Sequence, residues 1–103
     1  MNEFLIQFNG FSPSNNFRQN LDIMLERIRD EAPYAAVIKA KIERAGRSFK
    51  GLIRIHSEVG TFVAEARADR LSALRKRLHS RIHRKLTDWK RTRFTGGRIG
   101  LAV

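Results

Sequence analysis

The chain has no cysteine, which excludes disulfide staples, thiol catalysis and cysteine-type zinc sites. No apolar run approaches the roughly 18 residues that a membrane-crossing helix needs, and the N-terminus lacks a basic stretch leading into an apolar one. These absences predict a soluble, cytoplasmic protein without a membrane partner. The glycines at 46, 51, 60, 96, 97 and 100 form no phosphate-cradling loop of the P-loop or dinucleotide type. Ser57 and Glu58 merely adjoin His56, with no base and orienting group arranged for nucleophilic chemistry. His79 and His83 stand four apart, a spacing that can chelate a metal. No carboxylate or third histidine stands at matching spacing, and cationic neighbours repel a divalent ion. The residues therefore predict no enzyme activity, no cofactor and no metal.

The most informative scarcity is of acids in the last third. Residues 70–103 hold 11 lysines and arginines against 1 acid, a charge of +10, whereas residues 1–69 hold 10 against 9, a charge of +1. A chain of 103 residues, 42% hydrophobic, is long enough for one domain with a packed core and is not a disordered basic tail. A pI near 11.4 with nearly all the excess charge at one end points to a polyanion, of which nucleic acid is the common case and an anionic membrane surface the less common one.

The charge is concentrated on one element. In Asp69–Arg93, DRLSALRKRLHSRIHRKLTDWKRTR, the apolar residues Leu71, Leu74, Leu78, Ile82, Leu86 and Trp89 step by three and four. At 100° per residue they fall within about 60° of one direction, which is the stripe of an amphipathic helix. Lys76, Arg77, Arg84 and Arg91 lie opposite that stripe. His83 and Lys90 lie at its side, and Arg75, Arg81 and Lys85 nearer the buried flank. A solvated face normally mixes both signs, because like charges at i,i+4 repel by a few tenths of a kcal/mol per pair. Here the repulsion is almost unrelieved. Lys76, Arg77, Arg81, His83, Arg84, Lys85, Lys90 and Arg91 are accordingly the candidate RNA-binding residues.

The rest of the chain supplies a support for this helix. Phe4, Ile6 and Phe8 alternate with polar or outward residues as a first strand. Gly10–Ser14 is a turn, and Ser14, or Ser12 with Pro13 at the first helical position, is the N-cap. A helix from Asn15 carries Phe17, Leu21, Met24, Leu25 and Ile28 on one face and ends before Pro33. Three strands follow. Ala36, Ile38, Ala40 and Ile42 form one inward row, Phe49, Gly51, Ile53 and Ile55 the next, and Phe62, Ala64, Ala66 and Ala68 the third. Turns lie at Ala45–Arg47 and Ser57–Gly60. The small inward residues predict helices lying close, and Asp69 is read as the cap of the basic helix. Lys39, Lys41, Lys50, Arg54 and Arg67 face outward, interrupted by Glu43 and Glu65, and aromatics that would stack bases are scarce on that face. The predicted fold is α+β, in the order β-α-β-β-β-α. It is a four-stranded mixed sheet with two helices on one face, its first two strands parallel across a crossover. Residues 1–93 form the domain, and 94–103, where the pattern lapses, a flexible tail.

In this order of elements the chain resembles the ribosome hibernation promoting factors and ribosome-associated inhibitors, whose fold is related to the double-stranded RNA-binding domain. Ser14-Asn15-Asn16-Phe17-Arg18 is similar to the family's Thr-Glu-Ala-Leu-Arg opening of helix 1. The hairpin from Ile53-Arg54-Ile55-His56 through Phe62-Val63-Ala64-Glu65-Ala66, and the passage of Ala68-Asp69 into a basic helix, also match. The family's second helix opens Asp-x-Tyr-Ala-Ala-Ile-Asp, where this chain has Asp69-Arg70-Leu71-Ser72-Ala73-Leu74-Arg75: the aromatic is lost and the second acid becomes arginine. The resemblance implies a short-form factor that binds small-subunit rRNA where mRNA and tRNA would sit and silences translation. Its oligomeric state stays open. Two rivals remain: a generic structured-RNA-binding module, which would begin with a helix, and a protein-interaction module docking through its basic helix.

Overall fold

The computed structural model describes the backbone of residues 4–102 and the side chains of residues 4–92. Six elements follow in chain order: β1 (Phe4–Asn9), α1 (Asn15–Glu31), β2 (Val37–Ala45), β3 (Ser48–Ser57), β4 (Gly60–Ala68) and α2 (Leu71–Ala102). The sheet order is β1-β2-β3-β4, with β1 parallel to β2 and the other pairs antiparallel. Parallel neighbours cannot be joined by a tight turn, and α1 provides the crossover. This is the α+β arrangement expected from the alternation of residues.

The helix ends have local causes. Ser14 is the N-cap of α1: its side chain accepts the Phe17 backbone N–H at 3.1 Å, which leaves Pro13 outside the helix. At the other end Ala32 is extended, its N–H bonds the carbonyls of Ile28 and Arg29, and buried Pro33 blocks continuation. Beyond it, the Ala36 N–H closes a turn onto the Pro33 carbonyl at 3.2 Å, with Ala35 at φ +60°. Turns of this kind normally place glycine there, and an L-residue in that region costs about 1–2 kcal/mol. For α2 the expected cap is corrected by one residue. The first helical bond runs from Leu74 N–H to the Arg70 carbonyl at 3.0 Å, so Arg70, not Asp69, occupies the cap position. The backbone of α2 continues past Arg93 through the stretch expected to be a tail; the side chains of that stretch lie outside the described residues.

One face of the sheet carries the core. Ile38, Ala40, Ile42, Ile53, Ile55, Ala64, Ala66 and Ala68 meet Phe17, Leu21, Met24, Leu25 and Ile28 of α1 and Leu74, Leu78, Ile82 and Leu86 of α2, all buried. Gly51 lets α2 approach. A Cβ built there would lie 2.6 Å from Leu78 Cδ1 and 3.3 Å from both Leu74 methyls, well inside contact distance. Trp89 closes one end of this layer edge-on to Phe62, ring centroids 5.9 Å apart. At another margin of the sheet Phe11 packs edge-on to Phe8 and Phe49.

Candidate nucleic-acid interface

With Leu74, Leu78, Ile82 and Leu86 held against the sheet, the rotation of α2 is set, and every other position on it acquires a definite neighbour. Three surroundings result. The outermost line is Lys76, Arg84 and Arg91, all exposed. On the flank toward α1 lie Arg75, His79 and His83. On the flank toward β4 lie Arg77, Arg81 and Lys85.

The β4 flank differs from the helical-wheel expectation. β4 is an edge strand, so alternate carbonyls on its open side lack a strand partner. Arg77 donates from Nη1 to the Arg67 carbonyl, and Arg81 donates from Nη1 to the Glu65 carbonyl. Two of the eight candidate cations thus tie α2 to the sheet edge, although each keeps further N–H donors. Lys85 lines a shallow groove on this side of about 530 Å³ with Val63, Glu65, Arg84 and Asp88.

On the α1 flank, His83 Nδ1 sits 2.8 Å from Glu31 Oε1 and 3.0 Å from Oε2. This is the only ion pair of α2 among the described residues. It brings a carboxylate to the histidine pair from 52 positions away, something no local spacing shows. His79 lies edge-on to His83, centroids 6.4 Å apart. Burial pushes the His79 imidazole below the usual histidine value. Glu31 opposes that shift, while His83, Arg27 and Arg75 add to it. Among the described residues no three His, Asp or Glu side chains are arranged to hold a metal. A groove of about 660 Å³ runs along this seam, lined by Arg27, Arg75, Lys76, His79 and His83 with Asp30 and Glu31.

Of the expected residues, the structure therefore leaves Lys76, Arg84, Lys85 and Arg91 exposed and without a partner among the described residues, while Lys90 is half-buried. Arg27 of α1 and Arg75 of α2 join the cationic seam and were not among the candidates. Arg75 falls near the buried flank of the wheel, and Arg27 is on another helix, so only the packing of α1 on α2 reveals them. The opposite face of the sheet is uncovered. Lys39, Lys41, Lys50, Arg54 and Arg67 are exposed there, with Glu43 and Glu65 among them. The register sets Lys39 directly opposite Arg54 and Glu43 opposite Lys50, so this face mixes signs where α2 does not. Among the described residues, Phe4 at the start of β1 is the one aromatic lining the groove on this face.

No protein-family model matches the chain, and no curated protein matches it. Solved structures do. A ribosomal subunit interface protein from Coxiella burnetii superposes with a TM-score of 0.74 at 19% identity, over 84% of this chain and 96% of that one. The fold is that of a ribosomal subunit interface protein. The N-terminal domain of Protein Y from Thermus thermophilus gives the same TM-score of 0.74 at 17% identity, over 86% of this chain and 99% of that one. Among these three structures the path of the chain is shared almost throughout, at an identity where side chains have largely diverged. What the α2 face binds is therefore argued from its own residues.

Proposed function

We propose that the chain is a ribosome-associated translation inhibitor of the hibernation type, docking on small-subunit rRNA through the outward face of α2. One observation carries this reading. A helix with four exposed, unengaged cations, Lys76, Arg84, Lys85 and Arg91, stands on a fold shared with a ribosomal subunit interface protein. Among the described residues none of these four cations has an ion-pair partner, and Glu65 and Asp88 are the only acids lining the groove beside Arg84 and Lys85. Asp88 is the single acid between Arg70 and Val103, so the counter-charge comes from a partner. Phosphate oxygens suit it, because lysine and arginine on a straight rod track a nucleic-acid backbone without reading bases. The folded layers behind α2 supply bulk that excludes other ligands from the docking site, and this reading gives the chain no catalytic step and no cofactor. Its place of action is the cytoplasm.

Sedimentation of the purified protein with ribosomes through a sucrose gradient tests the proposal. Co-migration with small subunits at low salt, together with reduced translation in a cell-free system, is expected. Protein left at the top of the gradient contradicts it. Equal migration with any structured RNA added in excess would favour a generic RNA-binding module instead.

A further inference from the structure

Of the large apolar side chains exposed among the described residues, Tyr34 is the most exposed and the only aromatic. Tyr34, the sole tyrosine of the chain, is 97% exposed. It stands at the head of the turn between α1 and β2, and the turn is fixed at both sides. Pro33 is buried, the Ala36 N–H bonds the Pro33 carbonyl, and Ala35 is held in the left-handed region. A turn so constrained fixes the backbone from which the ring projects, which lowers the backbone entropy lost when something lands on it.

Its surroundings indicate what lands there. Tyr34 lines a groove of about 710 Å³ with Leu5, Arg29, Asp30 and Val37. Leu5 and Val37 are exposed apolar side chains that give a planar ligand a floor, and Arg29 supplies a cation. The groove adjoins the cationic seam between α1 and α2, since Asp30 lines both. A strand whose phosphates lie against Arg75, Lys76 and Arg27 passes Asp30, the residue common to both grooves, before it comes to Tyr34. Duplex has no free base to offer there; a loop, bulge or end has.

We propose that Tyr34 is a base-stacking site, taking an unpaired nucleobase of an RNA whose phosphates lie against Arg29 and the α1–α2 seam. The inference rests on the RNA-docking reading above and adds to it a preference for RNA with unpaired bases. Charge favours this occupant over an acidic protein segment only by the surplus of Arg27, Arg29, Arg75 and Lys76 over Asp30 and Glu31 along the two grooves; the planar ring beside Arg29 is what suits a nucleobase.

The test uses two RNAs of equal phosphate number, a hairpin with an unpaired loop and a blunt duplex, and protein carrying fluorotyrosine, which gives a single fluorine resonance. Tyr34→Ala should weaken hairpin binding by about 5- to 150-fold, as expected for one lost base–aromatic stack, and leave duplex binding within about twofold. Tyr34→Trp should restore the hairpin preference. The fluorine resonance should move on adding hairpin and stay in place on adding duplex. Equal binding of hairpin by wild type and Tyr34→Ala, with an unmoved resonance, overturns the stacking site while RNA docking stands, and leaves the Leu5–Tyr34–Val37 patch to a protein partner. Equal losses on both RNAs also overturn it. Wild-type protein that binds neither RNA at low salt defeats the docking reading itself, and the stacking site with it.

Discussion

Reversing Lys76, Arg84 and Arg91 to Glu separates docking through α2 from simple attraction between a basic protein and RNA. All three are exposed, and none makes a hydrogen bond or ion pair among the described residues. Each reversal should therefore change stability by no more than about 0.5 kcal/mol, and the variant should unfold within a few degrees of wild type. With Lys85 on the β4 flank, four exposed cations of α2 have no partner among the described residues. If each meets one phosphate, with about 0.7–0.9 in salt slope per contact, raising salt from about 50 to 200 mM weakens wild-type binding by roughly 50- to 150-fold. The triple variant loses three of those contacts, so the factor by which the same step weakens binding should itself fall by about 20- to 40-fold, on a binding constant already much reduced. The matched control reverses Lys39, Lys41 and Lys50 on the sheet face. It moves the net charge by the same six units, from +11 to +5, and should keep the steep salt dependence. Fluorescence anisotropy against isolated small subunits at the two salt concentrations reads both quantities. Equal losses from the two triples, or a flattened salt dependence in the sheet variant instead, would refute docking through α2.

Trp89 is half-buried and edge-on to Phe62, so Trp89→Ala should cost about 2–3 kcal/mol, below the 3–5 of a fully buried ring. Denaturant unfolding measures it, and RNA binding at a temperature where the variant is folded should survive. Gly51→Ala should destabilise by about 1–2 kcal/mol: the new methyl group meets buried Leu78, and the overpacking outweighs the entropy that alanine saves in a strand. A more stable Gly51→Ala protein would mean that α2 does not lie this close. For His79 the depressed value fixes the sign. The unfolded chain binds the proton more tightly, so stability is full above the ordinary histidine value near 6.5 and falls as pH drops through it toward the folded value. Relative to His79→Gln, wild type should lose stability between about pH 7.5 and 5.5; parallel pH profiles of the two would contradict the burial of this imidazole.

The sheet and both helices were legible because each element repeats one simple period. Ile38, Ala40 and Ile42 alternate, Leu74, Leu78, Ile82 and Leu86 step by four, and each set is buried as its spacing implies. Ser14 and Pro33 bracket α1 by mechanisms that act within a few residues, so they too could be read locally. What escaped were the individual side-chain contacts set by how one element lies across another. The wheel places Arg77 and Arg81 on a flank of α2, but only the position of the β4 edge turns those guanidinium groups onto the Arg67 and Glu65 carbonyls. Likewise His83 meets Glu31, and Arg27 joins the seam, because two helices distant in sequence pack side by side. The cap at Arg70 in place of Asp69 is a shift of one residue that composition favoured the other way. Tyr34 was silent in the sequence because an aromatic in a turn carries no period, and its exposure is known only once the turn is built.

The most direct measurement places a photo-crosslinking side chain at position 84, the middle of the outward line of α2, and illuminates the protein bound to purified small subunits. A matched probe goes at position 41 on the sheet face. Crosslinks from position 84 to small-subunit rRNA, with few or none from position 41, are the predicted result. Crosslinks that form from position 41 and not from position 84, or that run from position 84 to ribosomal protein alone, would contradict docking of α2 on rRNA.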